Sequence, residues 1–315
     1  MIDILSITGT IFVVIGAGYL SVRLGVFSSG EMQILGRFVV NFALPALIFR
    51  AVSTQPITEF ANAGYLGAVF MGSLVVFWSG YFWSRRVAGE RASASTFNAM
   101  GMSCANSGFV GFPILLISLP DVASTALALN MIIENLVMIP LVLIMAEYSR
   151  KGDMVGNQIT RQIAWRLVRN PIVIALVLGL TISASGLTMP TVIERPIDMF
   201  ASASAAVSLA VIGGTLASLP LREIKAPVFR ITAGKLLIHP AAIALSFFAV
   251  SLIGVGVQNE QLIAAAVILA STPVMGIYPI LAQSYGEERT ASLAMLVMTA
   301  ASFFTMSLVL AIVLV

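Results

Sequence analysis

Three ionisable side chains lie inside otherwise apolar stretches of the sequence, where a charge is costly to hold. Glu134 stands in the run 122–146, and Lys235 and His239 stand in the run 231–259. Ionisable residues in such stretches typically mark ion or proton pathways, or pair with one another. Glu134 is therefore a candidate for binding a coupling proton or sodium ion, and a structural pair with a basic residue is the alternative.

Lys235 and His239 are four residues apart, which places them on one face of a helix. Lys235 stands near the start of its run, where a long side chain can extend its ammonium group toward water. His239 directly precedes Pro240, lies deeper in the run, and carries an imidazole that titrates near neutral pH. We treat both residues as further coupling candidates. One histidine and one cysteine, Cys104, do not form a metal site, so we expect neither a metal nor a cofactor.

Two further apolar runs carry helix-breaking residues at matching positions. Residues 106–115 read NSGFVGFPIL and residues 272–281 read TPVMGIYPIL, at an offset of 166 residues. Proline removes an amide donor and glycine tolerates non-helical backbone, so each run is predicted to unwind in its middle. The unwound segments are expected over Gly108–Pro113 and Pro273–Pro279, with a new half-helix beginning after each final proline. Ordinary proline kinks are the alternative.

The predicted breaks have the chemistry of an anion site. A half-helix that begins at a break presents amide N–H groups and a partial positive charge. Asn106 and Thr272 stand at equivalent positions before the breaks, where they can bind a carboxylate or cap the broken ends. Asn41, near Pro45, marks another irregularity that either lines the same cavity or bonds between helices. The expected substrate-binding residues are Asn106, Ser107, Gly108, Pro113, Thr272, Pro273, Pro279 and Asn41.

The elements that must position these residues are membrane helices. The chain has 315 residues, of which 59% are hydrophobic and 10% charged, and its mean hydropathy is +1.00. A soluble domain carries about a quarter charged residues, so lipid must face most of this surface. Runs of about 18 apolar residues can cross a hydrocarbon core of roughly 30 Å. Ten predicted spans, numbered 1 to 10, cover residues 4–22, 38–49, 64–84, 92–120, 122–146, 170–193, 199–221, 231–259, 261–286 and 290–315.

Basic residues between the spans predict the orientation. Arginine and lysine concentrate in every second loop, which marks those loops as cytoplasmic and places both termini outside. The longest loop, about 148–169, is basic and amphipathic, and we expect it on the anionic inner leaflet. The net charge of +3 thus reflects cytoplasmic loops and not nucleic-acid binding. Asp3 stands where a cleavable signal peptide would need a basic residue.

The second half of the chain repeats features of the first. Besides the paired breaks, Gly18 and Gly25 correspond to Gly179 and Gly186, and the sequence LVL at 141–143 recurs at 308–310. Five spans are an odd number, so a second copy enters the membrane from the opposite side, as in many secondary transporters. We therefore expect a first repeat over 1–150, a cytoplasmic basic linker over 151–169 and a second, inverted repeat over 170–315. Broken spans 4 and 9 would cross near the midplane.

Two motifs resemble those of the auxin efflux carrier family. They are NFALPALIF at 41–49 and NSGFVGFP at 106–113. The resemblance implies ten spans with outside termini and an elevator-type carrier, in which spans 1, 2, 6 and 7 form a scaffold and the helices with the crossed breaks move. It assigns the crossover asparagine to Asn106 and the crossover prolines to Pro113 and Pro279. The short loop between spans 5 and 6 favours bacterial malonate and organic-acid carriers over the plant members.

The sequence therefore predicts an all-α polytopic membrane protein of the bacterial inner membrane. The function favoured is secondary transport of a small organic anion, with a proton or sodium ion as a coupling partner, and a homodimer is compatible with it. A sodium-coupled bile-acid-type symporter and an anion channel are alternatives. An enzyme is disfavoured, because the apolar runs hold no pair of carboxylates, no nucleophile with a base and no metal cluster.

Overall fold

The computed structural model describes residues 2–151, 165, 168–187, 189–217 and 225–314. These residues form helices and short connections, with no strand among them. We number the helices in the order of the predicted spans, with the halves of broken helices marked a and b. They are α1 Ile2–Arg23, α2 Ser29–Ser53, α3 Ile57–Val87, α4a Ala92–Ser103, α4b Ser107–Ser118, α5 Pro120–Lys151, α6 Pro171–Ser185, α7 Thr191–Ala217, α8 Ala226–Leu252, α9a Glu260–Ser271, α9b Tyr278–Gln283 and α10 Glu288–Val313.

Eight of the described helical segments are long and apolar enough to cross a membrane, with α4a and α4b counted together. The apolar helices α6 and α9a are shorter than the other spans. The prediction of a helix over 170–193 was too long, because α6 ends at Ser185 and the next residue, Gly186, has a φ of 65°. Glycine adopts that left-handed conformation without strain and ends the helix. The protein is a multi-pass, all-helical membrane protein.

Several helices contain a π turn, in which each backbone hydrogen bond spans one more residue than in an α-helix. These turns lie at Val39–Ala43 in α2, Trp83–Val87 in α3, Ser107–Gly111 in α4b, Glu134–Met138 in α5 and Gly234–Ile238 in α8. Turns of this kind occur often at functional sites. Asn41, Ser107, Glu134 and Lys235, all singled out from the sequence, lie within them.

Helices α1, α2, α6 and α7 pack into one group through close backbone contacts. A Cβ atom added to Gly18 of α1 would lie 2.0 Å from the carbonyl oxygen of Ala210 in α7. One added to Gly179 of α6 would lie 3.2 Å from the carbonyl oxygen of Phe49 in α2. Only glycine allows these helices to approach so closely, as is common in membranes.

The remaining helices form a second group around the broken helices. Helix α3 packs against α8 and α4a, α9a packs against α8, and α10 packs against both halves of α9. Few polar contacts join the two groups; one is the Ser307 hydroxyl of α10, which donates to the Thr8 hydroxyl of α1 at 3.1 Å. Residues 152–164 and 166–167 of the predicted basic linker lie outside the described residues.

Candidate functional site

The break in helix 4 lies nearer the N-terminus than the sequence suggested. Only Cys104–Asn106 leave the helix, and α4b resumes at Ser107. The predictions that Gly108–Pro113 is unwound and that the half-helix begins after Pro113 were wrong. Pro113 occupies the second position of the α-helical stretch that follows the π turn, where a missing amide donor is tolerated.

The glycines of α4b serve close packing instead of unwinding. A Cβ atom on Gly108 would lie 2.8 Å from Cδ1 of Leu44 in α2. One on Gly111 would lie 2.4 Å from Cδ2 of Leu269 in α9a. Both glycines therefore let α4b press against its neighbours at the level of the break.

The break in helix 9 is longer and agrees better with the sequence. Residues 272–277 lie outside regular helix, as expected for a stretch that contains Pro273 and Gly276. Helix α9b begins at Tyr278 and not after Pro279, because proline fits the first turn of a helix. At six residues, α9b is half as long as α4b.

The two breaks touch each other at the positions predicted to be equivalent. The backbone N–H of Asn106 donates to the carbonyl oxygen of Pro273 at 2.8 Å and to the hydroxyl oxygen of Thr272 at 3.1 Å. Asn106 and Thr272 are both buried. Helices 4 and 9 therefore cross with their unwound segments in hydrogen-bonding contact.

Asn106 and Thr272 also cap the broken helix ends, the alternative raised by the sequence. Oδ1 of Asn106 accepts from the N–H of Phe109 at 3.3 Å, and the Thr272 hydroxyl donates to the carbonyl oxygen of Leu269 at 2.8 Å. The Asn106 side chain retains a donor group, since no described residue accepts a hydrogen bond from its Nδ2. Capping and ligand binding are compatible for this residue.

Glu134 lies buried beside the start of α4b. The Ser107 hydroxyl donates to its Oε1 at 2.7 Å. Asn130 donates to the Ser107 hydroxyl at 3.3 Å, and the Tyr65 hydroxyl donates to Oδ1 of Asn130 at 2.9 Å. Sequence analysis missed Tyr65 and Asn130, although Asn130 lies one helical turn before Glu134.

Lys235 is fully buried, so the prediction that it extends toward water was wrong. Helix α8 begins at Ala226, five residues before the predicted start of the span, which places Lys235 about 7 Å deeper. Its Nζ donates to the carbonyl oxygen of Ala270 at 2.5 Å and contacts Nδ1 of His239 at 3.0 Å. Nε2 of His239 lies 3.3 Å from the hydroxyl of Ser73 in α3.

The acidic and basic groups therefore flank one crossing without meeting. Lys235 and Glu134 interact electrostatically, but they form no direct ion pair. Cys104 is also buried, and it lies near enough to Glu134 and Lys235 to interact electrostatically with each of them. The site thus combines a buried carboxyl group, a buried ammonium group and the free amide donor of Asn106.

Asn41 is the predicted site residue that the structure leaves apart from this network. It is exposed, and its Nδ2 donates to the carbonyl oxygen of Arg37, one turn earlier in α2, at 2.7 Å. Helix α2 approaches the crossing through Leu44, which packs on Gly108.

Comparison with known proteins gives the context for this arrangement. A protein of Rhizobium meliloti (strain 1021) named as a putative malonate transporter is 30% identical over 317 residues, which cover 98% of this chain and 95% of the relative. An uncharacterized transporter of Escherichia coli (strain K12), YfdV, is 27% identical over 248 residues, or 75% of each chain. Residues 7–310 match the membrane transport protein family. The chain belongs to that family, which confirms the resemblance to auxin efflux carriers and makes it a transporter and not an enzyme.

Proposed function

We propose that this transporter moves a small organic anion, such as malonate or a related carboxylate, across the bacterial inner membrane by an elevator-type mechanism. The observation that carries the proposal is the crossing of two broken helices, with the free Asn106 amide donor at its centre. A carrier needs a buried polar site near the middle of the membrane, and broken helices supply one from backbone groups.

Anion binding at the crossing follows from the local charge distribution. Helix α4b begins there, so its first amide groups, at Ser107 and Gly108, present partial positive charge. The Asn106 amide adds a neutral donor, and Lys235 adds positive potential from the other break. The proposed substrate-binding residues are those around the break: Asn106, Ser107, Gly108, Pro113, Thr272, Pro273 and Pro279. Asn41, the other residue that the sequence suggested, is not included, because it is exposed and bonds to its own helix. The relative's name supports a dicarboxylate such as malonate as the first compound to test.

The proposed architecture is ten spans in two inverted five-helix repeats, 1–150 and 170–315, joined by the cytoplasmic linker 151–169. Contacts between equivalent residues support it. Asn106 touches Thr272 and Ser73 touches His239, and each pair is 166 residues apart. Residues on a pseudo-two-fold axis meet their own counterparts in this way.

A second set of contacts supports the same symmetry away from the axis. Gly18 packs on Ala210, and Gly179 packs on Phe49. Gly179 follows Gly18 by 161 residues, and Ala210 follows Phe49 by the same number. The α1–α7 contact is therefore the counterpart of the α6–α2 contact, as expected when one repeat is rotated onto the other.

The elevator mechanism assigns the scaffold to α1, α2, α6 and α7 and the moving unit to the remaining helices. The crossing meets the scaffold through Leu44, packed on Gly108, and through the Ser208 hydroxyl, which donates to the Phe109 carbonyl at 3.3 Å. Contacts of this kind can be exchanged as one group slides past the other. We also propose a homodimer and outside termini, and cysteine labelling at Val155 and Val315 tests the orientation.

Transport of radiolabelled malonate into proteoliposomes tests the proposal. A carrier saturates with external malonate and shows counterflow when unlabelled malonate is trapped inside, whereas an anion channel shows neither. The wild-type protein is expected to show both, and a panel of mono-, di- and tricarboxylates defines the preferred substrate. Absence of saturable binding or uptake for every carboxylate would contradict an organic-anion carrier, and uptake that requires sodium would favour the bile-acid-type alternative.

A further inference from the structure

We infer that Lys235 is a built-in cation that occupies the position where a coupling sodium ion would bind, so that this transporter works without sodium. The inference deepens the proposed function and rests on it for the transport readouts. Helix α9a stops at Ser271, directly before the break.

The end of α9a carries carbonyl groups that lack helical partners. The last four carbonyls of any helix are in this position, and together they concentrate partial negative charge. In broken helices of transporters, such ends with unwound carbonyls are where coupling sodium ions or protons bind. An empty carbonyl end buried in a membrane protein would therefore attract a cation.

Side chains of this protein complete that end. The Ser271 hydroxyl donates to the carbonyl of Ile268 at 2.7 Å, and the Thr272 hydroxyl donates to the carbonyl of Leu269 at 2.8 Å. The ammonium group of Lys235 donates to the carbonyl of Ala270 at 2.5 Å. The Ala270 carbonyl thus accepts from a charged ammonium group, whereas the carbonyls of Ile268 and Leu269 accept from neutral hydroxyls.

His239 positions this ammonium group. Lysine can only donate, so Nδ1 of His239 accepts from Nζ across 3.0 Å, which leaves the ring proton on Nε2 to donate to Ser73. The bridge ties α8 to α3, so the lysine side chain is held from both sides. Lys235 is fully buried, and among the described residues it has no carboxylate in direct contact. The direct partners of its Nζ are therefore the carbonyl oxygen of Ala270 and Nδ1 of His239, and Glu134 acts on it at longer range.

The first experiment compares malonate binding in sodium and choline media. Wild-type affinity is expected to be equal in the two media within about twofold. Lys235→Ala in choline medium is expected to bind malonate about tenfold or more weakly, because the crossing loses the positive potential of the ammonium group. Ethylammonium should restore part of this affinity to Lys235→Ala by entering the vacated space, and should not restore Lys235→Met, whose side chain fills it. Lys225→Ala, an exposed lysine at the start of the same helix, is the matched control.

Wild-type binding that strengthens more than about fivefold with sodium would overturn the inference, as would normal affinity of Lys235→Ala in choline medium. Melting temperature without any carboxylate gives an independent readout. Ethylammonium is expected to raise it for Lys235→Ala only, and no rise would count against a cation site. This readout still decides the inference if the wild type binds no carboxylate, an outcome that removes the proposed function alone. If Lys235→Ala does not fold, a sodium titration of the wild-type melting temperature decides, with no shift expected and a rise contradicting the inference.

Discussion

The two helix breaks occupy equivalent places in the chain, yet they differ in length and in charge. In helix 4 the break is short, it is capped by Asn106, and a π turn of five residues and a helix of seven follow it. In helix 9 it spans 272–277 and leads to only six helical residues. A buried acid, Glu134, lies beside the first break, and a buried base, Lys235, lies beside the second.

This difference indicates a division of labour between the two breaks. The break in helix 4 offers the start of a long half-helix and a free amide donor, which suit an anionic ligand. The break in helix 9 offers a carbonyl end that the protein has already filled with its own ammonium group. One half of the crossing is therefore suited to bind substrate and the other to fix the charge around it.

The largest expected effect concerns the acid beside the first break. If Glu134 carries a coupling proton, Glu134→Gln keeps the hydrogen bond from Ser107 but cannot release a proton. Malonate accumulation driven by a pH gradient should be abolished, while malonate counterflow persists. Both are measured in the same proteoliposomes, with Glu59→Gln as an exposed control. Wild-type accumulation in Glu134→Gln would assign the carboxyl group a structural role only.

Asn106→Ala is expected to weaken malonate affinity by about 10- to 150-fold, the effect of one hydrogen bond to a charged group. Thr272→Ala should change affinity less, because its hydroxyl is engaged with Leu269 and Asn106. Affinity and melting temperature are measured together on both variants. A large fall in stability with unchanged affinity in Asn106→Ala would make this residue a helix cap alone, and equal affinity losses in both variants would remove the asymmetry between the breaks.

A glycine that follows the first break, Gly111 in α4b, and a glycine within the second break, Gly276, should also respond differently to a methyl group. At Gly111 an added Cβ would lie 2.4 Å from Leu269, whereas at Gly276 its nearest neighbour, in Phe109, is 3.9 Å away. Gly111→Ala should therefore lower the free energy of unfolding by about 1–3 kcal/mol through overpacking. Gly276→Ala should have little effect, and thermal unfolding in detergent compares the two. Similar melting temperatures for both variants would mean that Leu269 moves aside freely.

The smallest effect is expected at Asn41, which lies outside the network of the crossing. Its side chain bonds only to the backbone of its own helix among the described residues. Malonate affinity of Asn41→Ala should stay within about twofold of the wild type, since no hydrogen bond to the substrate is removed. A loss as large as that of Asn106→Ala would place Asn41 in the substrate site and extend that site into α2.

Composition and residue pattern were sufficient to predict the class of fold and the pairing of the breaks. Because few residues are charged, most of the surface had to face lipid. Matched glycines and prolines located both breaks to within a few residues. The limits of the break in helix 4 were mispredicted because a proline lacking its N–H is tolerated just after a π turn, where Pro113 lies, as well as in an unwound segment. Its glycines were assigned to unwinding when they serve contact with Leu44 and Leu269, which only the folded chain brings near.

The environment of the buried charges was harder to predict. Lys235 was placed near water because its helix was expected to begin at 231, whereas Pro227 lies in the first turn and the helix begins at Ala226. Its partner, Ala270, is a backbone carbonyl, which no side-chain pattern reveals. The network that links Tyr65, Asn130, Ser107 and Glu134 depends on how α3 and α4b pack on α5, so spacing within one helix does not predict it.

The contacts between residues 166 positions apart have a consequence for how this chain can evolve. In a symmetric pair of identical five-helix proteins, every residue on the axis faces a copy of itself, so a charge there faces the same charge. Joining the two halves in one chain removes that restriction, because each position can then change without its counterpart. His239 faces Ser73 and not a second histidine, and the position that matches Lys235 at the same spacing is the apolar Val69. A single chain with the proposed two repeats can thus carry an acid on one side of the crossing and a base on the other.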